Sequence, residues 1–73
     1  MRKKRTPDQA AAALGWTLVK SFTAESGRLY TICDTGSEYE PFAVHNFDGA
    51  FNYGTYHWTY GEARVALAKR IGA

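Results

Sequence analysis

Cys33 is the only cysteine in a chain of 73 residues, and this fact narrows the available folds more than any other. A domain this short buries only about 60 % of the surface that its unfolded chain exposes. Small domains usually offset that deficit with disulfides or a structural metal. One thiol forms no intrachain disulfide. His45 and His57 join Cys33 at no CxxC or HxxxH spacing, so an ordinary structural zinc site is not encoded either. The core must therefore come from rings. Eleven residues are Phe, Trp or Tyr, and each ring buries roughly 150–250 Å².

The backbone signals are sharper than the composition. In "TPDQAAAALG" (6–15) Thr6 is an N-cap, Pro7 takes the first helical position, Asp8 suits the helix dipole and Gln9 completes a capping box. Gly15 ends this helix, expected over about residues 7–14. From Trp16 the hydrophobic period changes to two. "WTLVKSF", "LYTICD" and "FAVHNF" read as strands separated by turns at Gly27, Gly36 and Asp48-Gly49, and "YGTYHW" as a shorter fourth extended piece. Thr59-Tyr60-Gly61-Glu62 is a second capping box. It starts a helix at about Tyr60 that carries Ala63, Ala66, Leu67 and Ile71 on one stripe and ends at Gly72.

The expected fold is α+β in the order α-β-β-β-(β)-α. It is a three- to four-stranded antiparallel sheet with the N-terminal and C-terminal helices packed on one face. Residues 1–5 read as a flexible basic arm and 6–73 as a single small domain.

Alternation divides the rings between two duties. Trp16, Leu18, Phe22, Tyr30, Ile32, Phe42, Val44, Tyr56 and Trp58 are expected to face the helices. The opposite, open face then carries Val19, Leu29, Thr31, Cys33, Ala43, Phe47, Tyr53, Thr55 and both histidines, and is too apolar for simple solvation. Eight of the eleven aromatics fall between Tyr39 and Tyr60, more than one core uses. Tyr39, His45, Phe47, Phe51, Tyr53, His57 and Tyr60 are therefore the candidate partner-binding residues, since surface Tyr and Phe anchor interfaces.

Charge and motif content exclude much. Arg2, Lys3, Lys4 and Arg5 carry +4, while the rest has five basic and seven acidic residues, a net of −2. A mildly acidic body is a poor general platform for phosphates. The arm itself offers roughly three or four phosphate contacts, so Arg2, Lys3, Lys4 and Arg5 form the alternative, nucleic-acid-binding set. His45 with Asp48, and His57 with Glu62, are weak acid–base pairs, and Asp34 beside Cys33 disfavours a thiolate. No catalytic residue, metal ligand or cofactor loop is assigned. Neither a membrane span nor a signal-peptide core is present, which makes the cytoplasm the expected location.

At "YGTYHWTYGEARVAL" (53–67) the chain resembles the sheet-then-helix end of two DNA-binding families, the ethylene-response-factor domain and the arm-type integrase domain. Both enter a helix at a Thr-x-x-Glu-Ala step, as Thr59, Glu62 and Ala63 do here. The α-β-β-β-α order is also similar to that of double-stranded-RNA-binding domains. These resemblances imply a DNA- or RNA-binding sheet or helix. The strands "LYTICD" and "FAVHNF", however, contain no Lys or Arg, and Tyr60 and Gly61 stand where paired lysines would open the RNA-binding helix. The expectation is a non-catalytic binding protein that engages a protein or ribonucleoprotein complex through an aromatic sheet face and loops. Phages and mobile elements use small proteins of this kind to inhibit or modulate host machines such as CRISPR effectors. A nucleic-acid-binding accessory protein is the alternative.

Overall fold

A computed structural model describes residues 5–72. The expected arm therefore lies, apart from Arg5, outside the described residues. The order is α1 (Pro7–Ala13), β1 (Thr17–Thr23), β2 (Leu29–Asp34), β3 (Phe42–Phe47), β4 (Phe51–His57) and α2 (Tyr60–Gly72). The four strands form one antiparallel sheet in sequence order. The α+β class and the helix–strands–helix order are those expected.

Both caps form as the sequence encodes them. The Gln9 amide donates to Thr6 Oγ1 (3.2 Å) and the Thr6 amide to Gln9 Oε1 (3.0 Å). At α2 the Glu62 amide donates to Thr59 Oγ1 (3.1 Å), while the Trp58 and Thr59 amides donate to Glu62 Oε1 (3.0 and 3.3 Å). Each box satisfies backbone donors that a helix start leaves open.

One face of the sheet is covered by α2. Ala63 and Leu67 pack on Tyr30, Ile32 and Val44, with Phe42, Tyr60 and Ile71 around them. The other face is not open. α1 and Trp16 lie over it, and Ala10, Ala13 and Leu14 share a cleft with His45, Phe51 and Tyr56. The expectation that both helices pack on one face is corrected: they take opposite faces. The reason is visible in β2 and β3, where Thr31, Cys33, Ala43 and His45 are buried on the side away from α2. A sheet apolar on both faces needs a cover on each.

Two bulges revise the face assignments further. Leu18 pairs with Cys33 but Lys20 with Ile32, so Val19 is an extra residue in β1. Leu18 consequently faces α1, while Phe22, paired with Tyr30, lies on the α2 side. In β4, Thr55 pairs with Val44 and Asn52 with Asn46, which leaves Tyr53 and Gly54 opposite His45 alone. Tyr53 takes a left-handed φ of 56° there. The bulge puts Thr55 and His57 on the α2 side and Tyr56, paired with Ala43, on the other. This is the reverse of the expected register. Trp58, expected in the core, is 51 % exposed.

Candidate interaction surface

Strand β4 is an outer strand of the sheet, and α2 leaves its flank uncovered. Between them lies a groove of about 480 Å³ lined by Tyr56, His57, Trp58, Val65 and Ala66, with Glu40, Glu62 and Lys69 as its charged residues. Tyr56, Trp58 and Val65 are each about half exposed (49, 51 and 56 %). Tyr39, 71 % exposed, closes against Trp58 with ring centroids 4.8 Å apart. Lone exposed apolar residues need no explanation, but a contiguous group does.

The loop that carries Tyr39 is held in shape by its own hydrogen bonds. The Thr35 amide and hydroxyl both donate to the Pro41 carbonyl (2.8 and 2.9 Å). The Gly36 amide donates to Asp34 Oδ1, and the Tyr39 amide to Ser37 Oγ. Such side-chain turns order a loop before any partner arrives. Glu40, which follows Tyr39, has a φ of 45°, a left-handed value that costs a residue with a Cβ roughly 1–2 kcal/mol.

A second cluster lies beneath α1. The His45 ring contacts Trp16 (5.8 Å), Phe51 (5.2 Å) and Tyr56 (5.9 Å), and Phe51 also meets Phe47 (5.1 Å). His45 is 4 % exposed, and neither its Nδ1 nor the neighbouring Thr31 Oγ1 has a hydrogen-bond partner. Burial, and secondarily the Arg70 charge, hold the His45 pKa below its ordinary value. The ring is therefore neutral at pH 7. Burial, with a smaller contribution from Asp8, pushes the Cys33 thiol up to about 11, so this sulfur is a packed side chain and no nucleophile.

A third, more polar cleft lies at the far end of the β3–β4 hairpin. Arg28, Asn46, Asp48, Asn52 and the 82 % exposed Tyr53 line it.

The candidate residues from the sequence thus separate. Tyr39 and His57 lie at the β4 groove or beside it. Tyr53 stands apart at the hairpin. His45 and Phe47 are buried under the α1 side, Phe51 is partly buried with them, and Tyr60 packs edge-on against Phe42 (6.2 Å) beneath Arg64. Of the basic set, Arg5 is exposed beside the α1 cleft, and Arg2, Lys3 and Lys4 lie outside the described residues. Tyr56, Trp58 and Val65 were missed as surface residues. The available signal was Gly54, since a glycine inside a strand often marks a bulge.

Among the described residues no three His, Cys, Asp or Glu side chains come together as a metal site. No described helix is long and apolar enough to cross a membrane. Comparisons with protein-family models, with curated proteins and with solved structures give no match.

Proposed function

We propose that this is a small non-catalytic binding protein that docks on a larger macromolecule through the groove between β4 and α2. The observation that carries the reading is the contiguous exposure of Tyr39, Trp58 and Val65 on a hydrogen-bonded loop, the end of an outer strand and a helix. A sheet face no longer supplies the surface, since α1 covers it. Rigid aromatic anchors with few rotatable bonds lose little entropy on binding and dominate the energetics of protein interfaces. Occluding part of a protein or ribonucleoprotein machine, of which a CRISPR effector is one kind, suits a domain of this size.

The test is affinity capture from a lysate with the wild-type protein, Tyr39→Ala and Trp58→Ala, each checked by circular dichroism. Folded variants that lose the captured partner support the groove as the interface. Variants that retain it in full overturn the reading.

Nucleic acid is the second reading, favoured by the Arg28–Asn52–Tyr53 cleft, which pairs a cation with a free ring for base stacking. Phosphate contacts make affinity fall steeply with salt. Capture that is sensitive to nuclease, lost in Tyr53→Ala and weakened by added salt would place this reading first.

A further inference from the structure

The charges along the β4–α2 groove have a direction. Glu62, Val65, Ala66 and Lys69 follow at helical spacing on one face of α2, so Glu62 and Lys69 stand about 10 Å apart along the axis. The aromatic end is the acidic end. Glu62 Oε1 caps the helix beside Trp58, and Glu40 joins the groove from the loop that sets Tyr39 against the Trp58 ring. The Glu40 carboxylate has no hydrogen-bonded or charged partner among the described residues.

A half-exposed indole that shares a groove with the unpaired Glu40 carboxylate matches the chemistry of one side chain in particular. A guanidinium stacks on an aromatic face while its N–H fork meets a carboxylate in two parallel bonds. We infer that the groove receives an arginine from an extended basic segment of a protein partner, with the guanidinium between the Trp58 ring and the Glu40 carboxylate. This inference rests on the groove being the docking surface. The carboxylates of Glu40 and Glu62 repel a phosphate backbone from the same place. Lys69 discourages a second cation at the far end and so orients the segment.

The test uses fluorescence anisotropy with a short dye-labelled peptide of alternating Arg and Ser, its Gln-for-Arg counterpart, and a labelled single-stranded oligonucleotide. The Arg peptide should bind the wild type. Its affinity should fall by about tenfold or more in Glu40→Gln and Trp58→Ala, the scale of one charge-assisted contact. Lys69→Glu should tighten it. Glu40→Gly removes the carboxylate and relieves the left-handed backbone, so binding should weaken while the melting temperature does not fall. A purely structural role for Glu40 does not produce that pair of results. Equal binding of the Gln peptide, unchanged affinity in Glu40→Gln, or an oligonucleotide that competes at this groove would overturn the inference. If Trp58→Ala loses a captured partner but the Arg peptide does not bind, the arginine chemistry fails and the docking surface stands. If neither responds to Trp58→Ala, both fail.

Discussion

Two aromatic residues on either side of the β4 bulge in sequence have opposite standing. Phe47 is 7 % exposed and Trp58 is 51 % exposed. Phe47→Ala should cost about 3–5 kcal/mol, the usual figure for a buried aromatic. Trp58→Ala, with half its surface already in water, should cost less than about 2 kcal/mol. Urea denaturation of the two variants measures the difference. His45 contributes a pH dependence. Its folded pKa lies below the ordinary 6.5, so below that pH the unfolded chain takes up a proton more readily than the folded one. Stability should therefore be complete above about pH 6.5 and decline as pH falls toward the lowered folded value. Urea midpoints at about pH 7.5 and about pH 5.5 should differ in that sense, and His45→Gln should reduce the difference.

The β4 bulge and the α2 cap are the elements on which the groove depends, and each has a residue that tests it. A Cβ on Gly54 would lie 2.7 Å from His45 Cδ2 and closer still to Nε2, and the surrounding rings leave the imidazole little room to retreat. Gly54→Ala should destabilise by roughly 1–3 kcal/mol, as overpacking does, and should shift the orientation of Tyr56. A thermal melt and the near-ultraviolet circular dichroism spectrum read both effects. Thr59→Ala removes the acceptor for the Glu62 amide and should cost about 1 kcal/mol, measured in the same way. These two elements also mark what the sequence made legible. Caps are local, and Thr6, Gln9, Thr59 and Glu62 announced them within four residues. The faces of β2 and β3 followed from simple alternation because neither strand is interrupted. In β1 and β4 one added residue reverses the alternation, and only the pairing partner across the sheet reveals it. The side taken by α1 was hidden for a related reason. An all-alanine stripe packs equally well on either face, and the choice follows from which face α2 had already filled.

At the scale of the whole molecule the chain is a thin slab, with Cα extents of 39 × 30 × 16 Å. A slab has more perimeter than a sphere of equal volume, and the rings that do not fit between the layers stand at its margin. That is where Tyr39, Tyr56 and Trp58 are found. The margins have another property. Both outer strands carry the irregularities, Val19 in β1 and the Tyr53–Gly54 pair in β4, while the two inner strands pair without interruption. A regular outer strand is a template on which further copies add and the sheet grows into an aggregate; a bulge spoils the template by twisting it and breaking its hydrogen-bond spacing. Deleting Val19 would restore regular alternation along β1. The deletion variant should scatter light and bind thioflavin at concentrations where the parent chain stays clear, so the residue with no partner across the sheet helps to keep the protein in solution.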